Sequence, residues 1–487
     1  MDFFRSALKT KTQSTLTLLR AYESRNVTFA EPDGSWPIVW ERARGVNVWD
    51  AEGRKYLDLT AAFGVAAAGH ANPRVVRAGQ KQMATLLHAM GDVHPHALKA
   101  ALARELSRLT FERWFKVRGS LAAAKRFGGA GKFKVQSSRP QAPRSARHAK
   151  TIFCNSGFEA VEAALKTAML ATGKRGVIAF EGAYHGLGYG ALNATHREHF
   201  RAAFRTQLGG FTHFVPFPQC DRCACDMLKA NKRSALCEQL PSLEQRIRRL
   251  FQTNKIGAVL VEPIQVRGGI NSPGHEFLPM LRRVCNEFGA LLVLDEIFTG
   301  FGRTGRWFAC EWSEVVPDVV CLGKALTGGF PLSACVGRAE LMDRAWPEST
   351  GEAIHTSTYL GHPVGCAMAL AQIHELRNRR LVERCAKEFW TTIPEMLAQV
   401  TSDLPAETFG YRGNCLLAGL ELRQANGKPA TEATLRIIKR MLHRGFILLP
   451  EGEHSNVISF TPPLTITGAQ LWSAIQALGE ELHLLRP

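Results

Sequence analysis

Two residues that follow apolar segments could do chemistry together. Asp295 follows the apolar run 290–294. Lys324, 29 positions after Asp295, follows the apolar run 319–323. A lysine buried in a crevice loses hydration, which lowers its pKa and makes the neutral amine available for Schiff-base chemistry. A carboxylate such as Asp295 could hold the proton of a heterocyclic nitrogen. On these two residues alone, a structural Lys–Asp ion pair is the commoner arrangement.

The segment after Asp295 contains Gly300, Gly302 and Gly305, a literal G-x-G-x-x-G that follows a strand-like run. In a dinucleotide-binding turn these glycines open a helix directly after the strand. Here Asp295 and Glu296 come between strand and glycines, and the aromatic-rich segment 306–318 has no helical pattern. The sequence therefore argues against a nicotinamide dinucleotide site.

A candidate anion site lies at Asn155-Ser-Gly-Phe-Glu-Ala160, between a predicted strand and an Ala-rich predicted helix at 158–171. A helix N-terminus offers free N–H groups and the positive end of a dipole to a phosphate. Ser156 could instead be an ordinary N-cap. Tyr184 could stack on a planar cofactor, or pack in the core. Together with Lys324 and Asp295, this set is typical of a pyridoxal phosphate site.

Strands and helices alternate through the middle of the chain. The apolar segments predict strands at 150–155, 176–180, 256–262, 290–295 and 319–323, and a further helix at 274–288. Such alternation predicts an α/β fold with a mainly parallel, seven-stranded type of sheet flanked by helices. Working residues of such sheets gather beyond the carboxyl ends of the strands. Asn155, Glu262, Asp295 and Lys324 should therefore meet at one crevice.

The ends of the chain predict a smaller α+β lobe, with a last helix at 468–485. We expect residues 1–97 to form the N-terminal part of this lobe, 98–345 the large domain, and 346–487 the C-terminal small domain. A chain of 487 residues is long enough for such a division.

Composition indicates a soluble globular protein, with 45% hydrophobic and 21% charged residues. We expect no membrane span, because no apolar run reaches 18 residues. The first twenty residues lack a long apolar segment with a cleavage site, which argues against secretion. Twelve scattered cysteines fit reduced thiols. These features predict a cytoplasmic protein.

The net charge of +18 is concentrated in one segment. Residues 116–150 contain ten Lys or Arg and no Asp or Glu, and the balance without them would be +8. Their Gly, Ala, Ser and Pro content predicts a disordered surface insertion in the large domain. A basic segment could contact nucleic acid or anionic lipid, but a solvated insertion is the commoner case. Nucleic acid is therefore not a predicted partner.

Four cysteines lie close together in sequence: Cys220, Cys223, Cys225 and Cys237. Four thiolates at short spacing could bind zinc or an iron–sulfur cluster. The tight C-x-C step and the lack of a nearby histidine favour reduced thiols, so no metal is predicted. The metal content of purified protein would decide between the two.

Several motifs in order resemble those of the class-III, or omega-type, aminotransferases, which are pyridoxal phosphate enzymes of fold type I. The resemblance covers the chain from about residue 20 to its end, apart from the basic insertion. The matching segments are AAGHANP (67–73), NSGFEAVEAALK (155–166), AYHG (183–186), EPIQ (262–265), LVLDEIFTGFGRTG (292–305), LGKALTGGFP (322–331) and TSTYLGHPVGC (356–366).

This resemblance implies a role for each matching residue. Lys324 would bind the cofactor as a Schiff base and move the proton, and Asp295 would hold the ring nitrogen. Tyr184 and Ile297 would cover the two ring faces. Thr358 would reach the phosphate from a second subunit, which implies a homodimer with shared sites. The remaining implied cofactor-binding residues are Ser156, Gly157, Phe158, His185 and Glu262.

Four positions depart from the family pattern. Phe298 replaces a frequent glutamine, Leu187 an arginine, and Ser459 a C-terminal arginine. Arg267 replaces the glutamate that gates this C-terminal arginine in the family. Both members of the family's glutamate–arginine pair are therefore missing from this sequence. Arg267 could itself clamp a substrate carboxylate by a bidentate contact. It could equally point to solvent or pair at the sheet edge.

The resemblance implies transamination from an omega-amino acid, a diamino acid or a related amine, such as 4-aminobutyrate or acetylornithine. The acceptor would be a 2-oxo acid such as 2-oxoglutarate or pyruvate. A racemase, an aminomutase or a decarboxylase on the same scaffold is the alternative, because all begin with the same bond to lysine. A non-catalytic binding protein is a remote alternative, against which the intact Lys324 counts.

Overall fold

The computed structural model describes residues 10–32, 34–116, 148–219, 236–405 and 408–484. The principal α-helices are α1 Lys11–Tyr22, α2 Pro73–Thr85, α3 Ala97–Leu109, α4 Gly157–Thr172, α5 Tyr189–Ala194, α6 Glu198–Arg201, α7 Leu236–Thr253, α8 Phe277–Phe288, α9 Ala339–Ala345, α10 Pro363–Asn378, α11 Leu381–Phe389, α12 Thr392–Val400, α13 Thr431–His443 and α14 Gly468–His483.

The strands of the described residues form three sheets. Their bounds are β1 Trp40–Arg44, β2 Asn47–Asp50, β3 Lys55–Asp58, β4 Ala149–Cys154, β5 Gly176–Phe180, β6 Thr212–Val215, β7 Ile256–Val261, β8 Leu291–Asp295, β9 Val319–Leu322, β10 Ser333–Arg338, β11 Phe409–Asn414, β12 Leu417–Leu422, β13 Phe446–Ile447, β14 Leu449–Glu451 and β15 Val457–Phe460.

The largest sheet has seven strands in the order β4-β10-β9-β8-β7-β5-β6. Strands β9, β8, β7, β5 and β6 are parallel, and β10 runs antiparallel to both of its neighbours. The predicted fold class, a mainly parallel seven-stranded sheet flanked by helices, is thereby confirmed. The sheet brings the carboxyl ends of β4, β5, β7, β8 and β9 to one edge, where the predicted site residues lie.

This sheet is buried on both faces, as parallel sheets are. All six residues of β7 and all five of β8 are buried. Alternate residues pack to opposite sides: Leu292 and Leu294 join the core that contains α8, whereas Leu291 and Val293 join the one that contains α4. The sheet is therefore a rigid platform between two helical layers.

The predicted elements of this region lie close to the observed ones. Strand β5 has the predicted bounds, and β8 ends at Asp295 as expected. The predicted helix at 274–288 begins only at Phe277. A turn precedes it, in which the N–H of Phe277 bonds to the carbonyl of Gly274, because Pro and Gly together favour turns.

The N- and C-terminal segments meet in the smaller sheets. Strand β13 pairs in parallel with β3, with Phe446 opposite Leu57, and so completes the sheet β1-β2-β3-β13. Strands β11-β12-β15-β14 form an antiparallel sheet. This is the smaller lobe built from both termini. Its boundaries near residues 97 and 346 stay a prediction.

The predicted insertion 116–150 needs a correction at both edges. Residues 111–116 are helical, and β4 begins at Ala149. Residues 117–147 lie outside the described residues, so their predicted disorder is untested. In the part of the chain that is described, no helix combines the length and the apolar content needed to cross a membrane.

A left-handed turn precedes the active-site region. Four consecutive residues have positive φ: Ala61 (47°), Ala62 (48°), Phe63 (60°) and Gly64 (81°). The carboxylate of Asp58 stabilises the first residues of this turn, because it accepts hydrogen bonds from the backbone N–H groups of Thr60 and Ala62. The His70 ring lies 2.7 Å from the same carboxylate. L-residues pay roughly 1–2 kcal/mol each for this conformation, so the turn is held by its surroundings.

Candidate active site

A cavity of about 420 Å³ opens at the carboxyl edge of the seven-stranded sheet. Nine of the eleven residues predicted for the site line it: Gly157, Phe158, Tyr184, His185, Glu262, Arg267, Asp295, Ile297 and Lys324. The cavity is in the size range of small-molecule sites.

Asp295 is the last residue of β8 and is 5% exposed. Its Oδ2 accepts a hydrogen bond from Nδ1 of His185 at 2.8 Å, and its Oδ1 accepts one from the N–H of Ile297 at 3.1 Å. This contact uses only Nδ1 of the His185 ring. Among the described residues, Nε2 is buried without a partner. His185 therefore fixes the orientation of the carboxylate.

Lys324 follows β9 through Gly323 and adopts a positive φ of 32°. Burial lowers the pKa of its ammonium, and the carboxylates of Asp295 and Glu262 oppose this effect. Its Nζ lies 4.7 Å from the centroid of the Phe298 ring. The carboxylate of Asp295 contacts His185 and the backbone of Ile297, so the simple Lys–Asp ion pair considered from sequence does not describe it.

The predicted anion site lies where α4 begins. Ser156 is the N-cap in extended conformation, but its side chain makes no capping hydrogen bond. Its Oγ is buried and has no partner among the described residues. Gly157 packs closely against Ile297, since a Cβ at this glycine would lie 3.1 Å from Cδ1 of Ile297. The first turn of α4 thus offers an unused hydroxyl and free N–H groups.

The loop after β5 carries Tyr184 and His185. Oε1 of Glu262, the residue after β7, accepts a hydrogen bond from the N–H of Tyr184 at 3.0 Å. Burial raises the pKa of Glu262 to about 7, and the nearby carboxylate of Asp295 adds to this. Burial also raises the pKa of the Tyr184 phenol. Glu262 therefore ties the two loops that cover the cavity.

Arg267 lines the cavity from the loop after β7, and its side chain is 30% exposed. Its Nη1 forms an ion pair with Oε2 of Glu451 at 2.9 Å. The guanidinium lies 5.9 Å from the centroid of the Tyr184 ring. The family's glutamate–arginine pair is absent at positions 267 and 459, but Arg267 forms a different pair, with a glutamate from β14.

Sequence reasoning missed Glu451. The residue ends a three-residue strand and is followed by Gly452. Its local sequence carries no sign of a partner 184 positions away. The position of Glu451 next to Arg267 depends on the pairing of β14 with β15.

The other departures from the family pattern fall into two groups. Phe298 and Leu187 line the cavity. Ser459 lies in β15, where its hydroxyl donates to the carbonyl of Leu449 at 3.1 Å. Phe298 packs against the left-handed turn, since a Cβ at Gly64 would lie 2.9 Å from its ring.

Thr358 is not brought into the cavity of its own chain, and it is exposed. Cys220, Cys223 and Cys225 lie outside the described residues, as does the side chain of Cys237, so the thiol cluster is untested. Among the side chains described, no group of three or more His, Cys, Asp or Glu could hold a metal ion.

The glycine-rich segment after Asp295 is a turn without a helix. A Cβ at Gly302 would lie 2.9 Å from Val382, and one at Gly305 2.9 Å from Ala386, while both glycines have positive φ. Arg303 is fully buried and donates from Nη1 to the carbonyls of Leu416 and Pro462. Burial lowers the pKa of Arg303 to about 10. The glycines therefore shape the turn, and Arg303 holds two backbone carbonyls beside it.

The site fits the chemistry of pyridoxal phosphate in three respects. A phosphate would meet the unused Ser156 hydroxyl and the N–H groups of α4. A ring nitrogen would meet the oriented carboxylate of Asp295, and the buried amine of Lys324, whose pKa burial lowers, suits covalent attachment.

Comparisons with known proteins agree with this geometry. The sequence profile of the family described as aminotransferase class-III matches residues 28–482. The chain is 34% identical to the 5-aminovalerate aminotransferase of Pseudomonas aeruginosa, over 91% of this chain and 93% of the relative. It is 32% identical to the acetylornithine aminotransferase of Methanosarcina mazei, over 91% and 92% of the two chains.

Solved structures show the same architecture. An (S)-enantioselective omega-transaminase from Thermomicrobium roseum is 25% identical, with a TM-score of 0.80 over 98% of this chain and all of that one. The chain belongs to the class-III aminotransferase family.

Proposed function

We propose that this enzyme transfers the amino group of an omega-amino acid, a diamino acid or a related amine to a 2-oxo acid. The observation that carries this proposal is the convergence of Lys324, Asp295 and the start of α4 in one cavity, with Arg267 on its wall. The chain is also similar to a relative named for 5-aminovalerate.

Pyridoxal phosphate is the proposed cofactor, and when bound it would supply a ring that withdraws electrons from the carbon bearing the amine. Ser156, Gly157 and Phe158 would hold the phosphate. Asp295 would hold a proton on the ring nitrogen, and His185 would keep this carboxylate in place through its 2.8 Å hydrogen bond. Tyr184 and Ile297 would enclose the ring, and Glu262 would fix the Tyr184 loop.

Lys324 would both attach the cofactor and move the proton. Burial favours its neutral amine, so Nζ can accept a proton from the substrate carbon and return it later. The apolar ring of Phe298, whose centroid lies 4.7 Å from Nζ, would limit the access of water to this amine. Release of an oxo product and loading of a 2-oxo acid would then complete a two-stage exchange.

We propose an amine donor with a distal carboxylate. Arg267 is the cation on the cavity wall that could receive this group, and a guanidinium binds a carboxylate by two parallel hydrogen bonds. The acceptor would be 2-oxoglutarate or pyruvate, both of which carry a carboxylate.

The test is a screen of amine donors against 2-oxo acids. We expect 5-aminovalerate and related omega-amino acids to convert the absorbance of the bound cofactor, and 2-oxoglutarate or pyruvate to restore it. Mass spectrometry should then find the corresponding oxo product and amino acid. Conversion of a single amino acid without transfer to any acceptor would instead identify a racemase, an aminomutase or a decarboxylase.

A homodimer with shared sites is part of the proposal. Thr358 is exposed. Its segment contacts the segment around Asp92, because the hydroxyl of Thr356 donates a hydrogen bond to the Asp92 carboxylate. These segments also expose large apolar side chains: Leu86, Leu87, Met90, Val93, Ile354 and Tyr359. A second copy that covers them would carry Thr358 to the neighbouring phosphate. Sedimentation should give a dimer, and Thr358→Ala should weaken cofactor binding.

We place the enzyme in the cytoplasm, where its thiols would stay reduced. The described cysteines are free and buried, which supports this location. Imaging of a tagged full-length chain would test it.

A further inference from the structure

One buried carboxylate at the site has no part in the chemistry proposed above. Glu451 ends β14 and its side chain is 3% exposed. Its Oε2 lies 2.9 Å from Nη1 of Arg267. The backbone fixes this contact, because the N–H of Gly452 donates to the carbonyl of Arg267 at 3.1 Å. The pair is therefore built into the fold.

The charges around Glu451 come from four parts of the chain. Arg267 faces it from the loop after β7, Lys324 from the end of β9, and Arg197 from the residue before α6. The phenol of Tyr184, in the loop after β5, also interacts with it. Burial raises the pKa of Glu451 to about 7, against the opposing effect of the three cations. The carboxyl can thus gain or lose a proton near neutral pH.

A substrate carboxylate on Arg267 would change this balance. A guanidinium has five N–H groups, and the ion pair uses Nη1, so a second carboxylate can bind without displacing the first. Two carboxylates beside one partly buried cation repel each other, and the one that is harder to solvate takes up a proton. Glu451 is that group, because its side chain is only 3% exposed. The substrate carboxylate would lie on the cavity side of Arg267, whose side chain is 30% exposed.

We infer that Glu451 is the proton-accepting counter-ion of Arg267, so that a carboxylate-bearing substrate binds at Arg267 together with one proton at Glu451. The step balances without a redox partner: one carboxylate and one proton enter, and the protonated Glu451 still contacts Arg267. Ligands with a distal carboxylate are then selected more strongly at low pH than amines with an uncharged end. This inference deepens the proposed function and rests on it for the role of Arg267.

The test is calorimetric titration of the holoenzyme with glutarate, an unreactive dicarboxylate, at about pH 8 in two buffers of different ionisation enthalpy. We expect uptake of about one proton per glutarate, and an affinity that falls about tenfold per pH unit above the pKa of Glu451. The absorbance of the cofactor, recorded in parallel, separates a proton taken up there from one on Glu451.

Three variants assign the proton. Glu451→Gln should remove the uptake and flatten the pH dependence, and Arg267→Gln should abolish glutarate binding. Glu453→Gln, which changes an exposed neighbour on the same segment, should behave as the wild type. Absence of uptake in the wild type, or unchanged uptake in Glu451→Gln, overturns the inference.

The inference stays testable even if the Glu451→Gln variant does not fold. If Glu451→Gln fails to fold, Glu451→Asp keeps a titrating carboxyl, and we expect the pH at which glutarate affinity falls to move. An unmoved midpoint would contradict the inference. The donor screen is independent: amino transfer without proton uptake refutes only this inference, and proton uptake without amino transfer refutes only the proposed function.

Discussion

The two ends of the cavity are built in different ways. At the cofactor end, Glu262, Asp295 and Lys324 lie at or just beyond the ends of neighbouring strands of one buried sheet. At the substrate end, Arg267 from the loop after β7 meets Glu451 from a small antiparallel sheet, 184 positions later. The first end is fixed by the sheet itself, whereas the second depends on how two parts of the chain pack. Under the proposed function, reaction type and substrate choice would therefore be carried by separate structural units.

The largest effect should come from the cofactor end. Lys324→Ala removes the amine that would attach the cofactor and move the proton under the proposed function, so we expect amino transfer to fall by about 10³-fold or more. Single-turnover measurements with 5-aminovalerate would show it. Lys174→Ala is the matched control, because this lysine bonds to the Phe288 carbonyl away from the cavity. Near-normal transfer in Lys324→Ala would contradict the assignment.

Asp295→Asn keeps the shape at the end of β8 but removes the charge. We expect a loss of about 10²- to 10³-fold in kcat, as for other preorganised electrostatic contacts. Asp343→Asn, which alters an exposed carboxylate paired with Lys150, should have no such effect. Equal losses in both variants would point to a general defect of folding and not to the cofactor end.

At the substrate end the effect should be selective. Arg267→Gln removes charge-assisted hydrogen bonds worth about 1.5–3 kcal/mol, so KM for 5-aminovalerate should rise about 10- to 100-fold while kcat changes little. An amine with an uncharged end should keep its KM. A fall in kcat for both substrates would mean that the two ends are not separate.

The smallest effect should come from Phe298, which lies between the ends. The face of its ring favours the charged form of Lys324, so Phe298→Leu should lower the pKa of this amine further. A cation–π contact of about 0.5–2 kcal/mol corresponds to about 0.4–1.5 pKa units. The pH dependence of Lys324 acylation in the cofactor-free protein measures the shift. A raised pKa would contradict this role.

The sequence was sufficient to predict those parts of the site that depend on a single strand and the residue at its end. The run 290–295 predicted β8 and placed Asp295 at its end, because an apolar strand buried on both faces leaves a clear pattern. The reversed direction of β10 was not predictable, since its residues carry no information on which way a strand enters the sheet. Glu451 was missed for a similar reason: its partner is set by packing between sheets.

The position of Lys324 shows a further limit. The sequence indicates a lysine at a strand end, but the aromatic contact with Phe298 depends on Gly64, whose missing side chain leaves room for the ring. Contacts of this kind involve three chain segments at once. They can be interpreted only when the fold is known.

The left-handed turn at Ala61–Gly64 has a consequence for the mutational tolerance of the enzyme. β-Branched residues fit a positive φ worst, and glycine and asparagine best. In a saturation library, the half-buried position 62 should therefore retain function with Gly or Asn and lose it with Val or Ile, whereas the fully buried position 61 should accept Gly but no larger residue than Ala. At Gly64 a side chain should be disfavoured for two reasons, because the φ of 81° is strained for L-residues and a Cβ would lie 2.9 Å from the Phe298 ring.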